Sequence, residues 1–307
     1  MRPLRQFLPD RAYLITARCF EERFFLAPDS EALNLIVATC LAQAASKFRL
    51  DLFAYVVMSN HVHLVVRAPH GGLPEAMQLF LSQVARRVNI LRNRRGPVFS
   101  DRYHHQTICD EGALHNAIRY VLYNPVRAGA ASTTDAWAGL SSFPDTMNDL
   151  PLRCSRRQRG RTVLWTVKRL ARGEAHLPTN DTPDVASCLL ECRPASLLHG
   201  APGTASHEAF VDTIRRELRS EQPGPASMPN RVDPADRPRQ PKRARAPACI
   251  ASDSRAREAY LAERRAFMNA YRVASARFRR GDVAIFPPGC CLPWPHLNSL
   301  ISCSDTS

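Results

Sequence analysis

RLDLFAYVVMSNHVHLVVRA, residues 49–68, decides how the chain is read. Its two halves, 49–58 and 61–68, are runs of β-branched, aromatic and other apolar residues, the composition of strands. Ser59 and Asn60 between them supply a turn, so the stretch reads as a hairpin. Two histidines, His61 and His63, stand one residue apart in what is otherwise a buried-looking strand.

The flanking sequence alternates. AYLITARCF (12–20) is a short β-rich run. Asp29 or Ser30 can cap a helix through EALNLIVATCLAQAASKF. Gly71-Gly72 breaks the chain after the hairpin, and LPEAMQLFLSQVARRVNIL carries Met77, Leu81, Val84, Val88 and Leu91 at helical spacing. PVFSDRYHHQTI contains a fourth strand. EGALHNAIRYVLYNPVRAG is a helix expected to stop near Pro125, because the residue before proline disfavours the helical region. The order β-α-β-β-α-β-α is that of the ferredoxin-like, split-βαβ fold: an α+β domain whose antiparallel sheet has helices on one face.

The chain has 307 residues, 45% apolar and 23% charged, enough to bury a core. No apolar run reaches the length of a membrane span, so no membrane partner is expected. MRPLRQFLPDRAY has no apolar signal region, and the expected compartment is the cytoplasm, at the nucleoid. The ten cysteines then read as reduced thiols; Cys188 and Cys192 have metal-like spacing but no second pair. The net charge of +14 favours a polyanionic partner. Residues 1–150 hold 16 Lys+Arg against 13 Asp+Glu, or +3, and residues 151–307 hold 26 against 15, or +11.

The expected organisation is a catalytic domain over 1–150, a basic, partly helical extension over 151–220, a Pro/Arg-rich linker over 221–250, and a helix and tail over 251–307. SRRQRGR (155–161) reads as a basic loop and HEAFVDTIRRELRS (207–220) as a short helix. Seven prolines fall within 221–248. A strong helix over about 254–280 has Tyr260, Arg264, Phe267, Tyr271, Ala274 and Phe278 on one stripe, and Gly281 ends it.

Residues i and i+2 of a strand share a face, so His61 and His63 project side by side and could share a divalent metal. On the helix of RYVLYNPVR (119–127), Tyr120 and Asn124 share a face. An Asn oxygen is a plausible hard ligand for Mg²⁺ or Mn²⁺. A phenol with an ordinary pKa near 10 is a weak nucleophile unless a metal or base assists it. Each feature alone has an ordinary explanation in strand polarity, core packing or capping. Together they describe phosphoryl transfer through a covalent phosphotyrosine.

MSNHVHLVV, followed some sixty residues later by YVLYNPVRAG, resembles the HUH single-tyrosine transposases, and among them most the REP-associated tyrosine transposases. The resemblance covers about residues 10–145 and includes YLITAR (13–18), GPVFSDRYHHQTI (96–108) and AWAGLSSF (136–143). It implies that His61, His63 and Asn124 bind the metal and that Tyr120 is the nucleophile. It also implies cleavage and rejoining of single-stranded DNA beside hairpin-forming palindromes, with a 5′-phosphotyrosine and a free 3′-hydroxyl. Some relatives exchange the tyrosine helix between subunits, so a homodimer is compatible with it.

Tyr123, beside Asn124, competes with Tyr120, although an offset of one residue splays two side chains by about 100°. Tyr103 is a third candidate, as a structural or base-stacking residue, and Phe99 could also stack on bases. Arg86, Arg87, Arg92, Arg94 and Arg95, with Arg102, Arg119 and Arg127 nearer the site in sequence, are candidate phosphate contacts. His104 and His105 could contact phosphate or be ordinary surface residues. SRRQRGR and PRQPKRARAP could be non-specific DNA arms. Two other functions stay open: a host-adapted hairpin-binding protein without strand transfer, and a metal-dependent phosphoesterase.

Overall fold

A computed structural model describes residues 4–148, 150–159, 162–169, 185–190, 205–220 and 247–290. The first seven elements are β1 (Ala12–Arg18), α1 (Glu31–Phe48), β2 (Asp51–Met58), β3 (His61–Arg67), α2 (Leu73–Leu91), β4 (His104–Ile108) and α3 (Glu111–Arg127). That is the order read from the sequence. The strands lie side by side as β2-β3-β1-β4, with every one of these neighbours antiparallel. This is the arrangement a split βαβ unit requires.

The sheet is apolar on both sides, and that decides where the helices go. Tyr13, Ile15 and Ala17 of β1 and Val62, Leu64 and Val66 of β3 point to one face, where Val37, Leu41, Met77, Phe80 and Val84 of α1 and α2 cover them. Leu14, Val65, Phe53 and Val56 point to the other face, under Leu114, Ala117, Ile118 and Val121 of α3. The expectation of helices on one face therefore holds for α1 and α2, while α3 covers the reverse side. The reason is burial. A strand that is apolar on both faces leaves one of them in water unless a helix covers each, and each buried Val, Leu, Ile or Phe contributes about 1.5–3 kcal/mol.

Helix α3 runs through Pro125 to Arg127 rather than stopping before the proline. Proline at this position costs only the bond to the Val121 carbonyl, in the last turn, where helix bonding is already ending. Ala128 and Gly129 donate to the Asn124 and Val126 carbonyls and close the end. At its start the Asp110 side chain accepts from the Ala113 N–H at 2.7 Å.

Beyond the first domain, α4 (Phe143–Asn148) precedes a second sheet, β6-β5-β7, of β5 (Leu152–Arg159), β6 (Thr162–Arg169) and β7 (Val185–Leu190). The expected basic loop at 155–161 is thus, up to Arg159, part of strand β5; residues 160–161 lie outside the described residues. Helix α5 (Ala205–Ser220) matches the helix read at 207–220. It packs Phe210, Ile214 and Leu218 into the core on the α3 side. Residues 221–246, most of the expected linker, lie outside the described residues. Its last two residues, Cys249–Ile250, form β8, a fifth strand parallel to β4. Helix α6 (Ser254–Arg279) follows, with Phe267 and Ala274 of the expected stripe buried and Gly281 past its end at positive φ.

Candidate active site

Strand alternation puts His61 and His63 on the face of β3 that α3 covers. Their rings lie 4.7 Å apart, centre to centre. The ring of Tyr120 is 5.4 Å from that of His63. One helical turn further on, the Asn124 side chain lies beside the ring of His61. The structure therefore brings together the four residues that the sequence pairs only two by two.

Each imidazole is held from behind. Asn60 donates its Nδ2 to the Glu22 carbonyl at 3.2 Å, which turns its Oδ1 toward His61 Nδ1 at 2.6 Å. His61 Nδ1 must then carry the hydrogen, and Nε2 the lone pair. Glu21 and Glu22 adopt positive φ, unusual for residues other than glycine, in the short turn that brings the Glu22 carbonyl there. His63 Nδ1 meets the Thr16 hydroxyl at 2.9 Å, and its other ring nitrogen has no hydrogen-bond partner among the described residues. Burial, aided by the Arg18 guanidinium and opposed by the neighbouring Asn124 side chain, pushes His61 down to about 3. Burial, the neighbouring His61 and Arg18 hold His63 well below the ordinary range. Both rings are neutral at physiological pH, the form that ligates metal. Among the described residues no three of His, Cys, Asp and Glu converge on one point. A metal here would take the two imidazoles and the neutral oxygen of Asn124, a donor set suited to a hard divalent ion that keeps open positions.

His63 and Tyr120 open onto a groove of about 740 Å³ between α3 and the β1–β4 half of the sheet. Leu14, Thr16, Arg18, His104, Gln106, Asn116, Arg119 and the loop Ser100–Arg102 also line it. Tyr123 does not line it and packs partly buried against the α3-side core. The Arg127 guanidinium sits 5.3 Å from the centre of the Tyr120 ring.

The arginine candidates divide. Arg102 and Arg119 line the groove, Arg119 being held by Glu217 of α5 at 3.0 Å. Arg86 and Arg87 are on α2, which covers the other face of the sheet, with Arg87 donating to Thr39 at 3.2 Å; Arg95 is exposed in the loop after it. None of these three reaches the groove. Arg92 braces Asp29 and the Phe25 and Ala27 carbonyls, and Arg94 lies 3.8 Å over the Phe25 ring. Tyr103 is corrected from base-stacking candidate to core residue. It is 7% exposed, on the α1 and α2 side, with the Arg5 guanidinium 4.4 Å from its ring. A ring buried there cannot stack on a base in the groove. Phe99 packs against the same core. Of the two histidines, His104 lines the groove, whereas His105 packs on Phe7 at 4.7 Å on the reverse face. Sequence reading missed Thr16, Arg18, Gln106 and Asn116. The two-residue period of YLITAR, once paired with β3, would have pointed to Thr16 and Arg18.

Among the described residues no helix is long and apolar enough to cross a membrane. Residues 18–124 match the family described as transposase IS200-like. No curated protein matches the chain. Among solved structures it is similar to a REP-associated tyrosine transposase bound to a REP hairpin, at 15% identity over 47% of this chain and 82% of that one, TM-score 0.40. It is also similar to a transposase candidate of Deinococcus radiodurans R1, at 19% identity over 40% of this chain and 97% of that one, TM-score 0.28. The residues similar to the IS200-like transposase family include the histidine pair, Tyr120 and Asn124.

Proposed function

We propose that this transposase is a single-tyrosine strand transferase that cuts and rejoins single-stranded DNA beside hairpin-forming palindromes, as REP-associated transposases do. The observation that carries the reading is the placement of the Tyr120 ring beside His63 in a charged groove, with His61 and Asn124 adjoining. In the proposed step the Tyr120 Oη bonds to phosphorus and the P–O3′ bond breaks. The phenol gives up its proton, and the departing 3′-oxygen takes one up. The products are a 5′-phosphotyrosine and a free 3′-hydroxyl. The energy of the broken ester is kept in the new one, so rejoining needs no nucleotide cofactor. A divalent ion, Mg²⁺ or Mn²⁺, held by His61, His63 and Asn124, would supply Lewis-acid polarisation of a phosphate oxygen. Arg102, Arg119 and Arg127 would neutralise flanking phosphates. On this reading the protein works on DNA in the cytoplasm, as a monomer or with its tyrosine helix exchanged in a homodimer.

The test is a cleavage assay with Mn²⁺ or Mg²⁺ and labelled single strands that carry the palindromes flanking the gene. A covalent protein–DNA adduct on denaturing gels, lost in Tyr120→Phe and His61→Ala and kept in Tyr123→Phe, supports the transferase and its nucleophile. Retardation of the hairpin without an adduct in either metal would make the protein a hairpin binder. Cleavage with no adduct at any time would make it a phosphoesterase.

A further inference from the structure

We infer that Arg18 is a further catalytic residue, a guanidinium set to bind a non-bridging oxygen of the phosphate that Tyr120 attacks, and that the turn after β1 holds it there through the Glu22 carboxylate. The inference rests on the transferase reading, because it names a group that stabilises that same step.

The sheet register places Arg18. In the β1–β3 pair, Thr16 is opposite His63 and Arg18 is opposite His61. Cross-strand partners share a face, with Cβ atoms about 5 Å apart. Arg18 therefore stands beside the histidine pair, on the face that α3 covers. Its side chain lines the groove together with His63 and Tyr120. The other arginines of the groove are placed differently. Arg102 is in the loop before β4, and Arg119 is tied to Glu217 at 3.0 Å. A strand holds a side chain more firmly than a loop does.

The turn that follows β1 holds that side chain from behind. Glu22 is buried, and its carboxylate lies 3.8 Å from the Arg18 guanidinium. The Arg18 side chain is 42% exposed, so the guanidinium meets this carboxylate and still opens to the groove. Glu21 and Glu22 both adopt positive φ, at 53° and 58°. Consecutive residues other than glycine keep such a conformation only where the surroundings impose it, and strain of this kind gathers at functional sites. Here the surroundings are backbone hydrogen bonds. Cys19 N–H donates to the Asn60 carbonyl at 2.7 Å, Phe20 N–H to the Val98 carbonyl at 2.8 Å, and Ser100 N–H to the Arg18 carbonyl at 3.0 Å. One residue then supports the site twice. The Glu22 carbonyl aims Asn60 at His61, and the Glu22 carboxylate steadies Arg18 at the groove.

The chemistry calls for such a group. As the Tyr120 Oη closes on phosphorus, negative charge builds on the two non-bridging oxygens. Donors already fixed where charge develops lower the barrier most. One oxygen would face the histidine pair, and the other is left to a donor beside it. A guanidinium suits that place, because its planar fork meets a phosphate with two parallel N–H bonds. The acid behind it makes Glu22 a positioning residue, keeping the fork aimed before the phosphate arrives. An arginine that only met solvent would need neither a buried carboxylate nor a strained turn beneath it.

The experiment sets the rate of adduct formation against binding. Wild type, Arg18→Gln, Arg18→Lys and Glu22→Gln are mixed with labelled hairpin DNA at saturation, and single-turnover rates are read from denaturing gels. The Kd for the same DNA is read by retardation in a Tyr120→Phe background. Arg18→Gln is expected to slow the adduct roughly 100–1,000-fold, as loss of one donor to a developing charge does, and to change Kd by less than about threefold. Arg18→Lys should recover part of the rate, since it keeps the charge without the fork, and Glu22→Gln should lose roughly tenfold. A second substrate carries a methylphosphonate at the mapped cleavage site, which removes the charge of that phosphate. On it Arg18→Gln and wild type should react at rates within about twofold, an equality that a folding defect would not produce. A loss confined to Kd, an unchanged rate in Arg18→Gln, or the same loss on both substrates overturns the role of Arg18. If wild-type protein forms the adduct and one of those results is found, the inference fails and the transferase stands. If wild-type protein forms no adduct with Mn²⁺ or Mg²⁺, the transferase reading fails and the role of Arg18 falls with it.

Discussion

At the residue scale, Thr16 and Asn60 shape the site as much as the imidazoles they hold. Thr16 meets His63 Nδ1 at 2.9 Å, and Asn60 meets His61 Nδ1 at 2.6 Å. Such partners fix ring orientation and tautomer, and their loss typically weakens metal affinity 10–100-fold. Thr16→Val is expected to weaken Mn²⁺ binding by about that factor, measured by calorimetric titration, with little change in thermal stability. An unchanged affinity would mean that Thr16 is a bystander. His105 makes a different prediction. Burial, then Arg5, His104, Arg264 and Arg102, push it down to about 3. In the unfolded chain it titrates at about 6.5. Between those values the unfolded chain binds a proton that the folded protein refuses, so stability is full above about pH 6.5 and falls as the pH drops toward 3. His105→Phe should flatten that acid-side loss in urea melts taken across the range, without abolishing it, because His61 and His63 contribute in the same direction.

At the scale of elements, α3 does the most. Its N-cap Asp110 serves two masters, accepting from Ala113 N–H within the helix and from Ser252 N–H of the C-terminal segment. Gly112, in the first turn, allows this. A Cβ there would meet the Ser252 Cβ at 2.9 Å, closer than real side chains approach. In an ordinary helix Gly→Ala stabilises by roughly 0.5–1 kcal/mol. Gly112→Ala is expected to have the opposite sign, lowering the melting temperature by displacing Ser252. A raised melting temperature would show that the segment is not seated as described. The helix was legible in sequence, but its end was not. Proline predicts a stop from local sterics, whereas the buried Pro125 and Val126 carry it on to Arg127.

Over the whole molecule, the charge is sorted by face in a way that composition cannot show. Arg102 and Arg119 line the groove, while Arg86 and Arg87 lie on the helix that covers the opposite face. Each phosphate contact contributes about 0.7 to the slope of log affinity against log salt for a single strand. Arg102→Gln or Arg119→Gln is expected to reduce that slope by about this amount, and Arg86→Gln to leave it unchanged. Equal losses from both faces would mean that the DNA path wraps around the domain. The basic stretch 155–159, which reads as a loop, is instead paired in β5, where alternation was hidden by a run of polar residues.

The sequence by itself determined every relation that lies within one element. The two-residue period of a strand put His61 and His63 on one face, and the 3.6-residue period of a helix put Tyr120 and Asn124 on one face. The alternation of apolar runs and breakers fixed the order of the first seven elements. Only the tertiary structure decided the relations between elements. Both faces of the sheet are apolar, so nothing in the local pattern says that α3 covers the face bearing the histidines. That choice brings Tyr120 rather than Tyr123 into the groove, buries Tyr103 on the other side, and sets Ile250 beside residues more than a hundred positions earlier. Local periodicity is a property of backbone geometry, fixed over a few residues. Which faces meet is set by long-range burial, which a single stretch of sequence does not record.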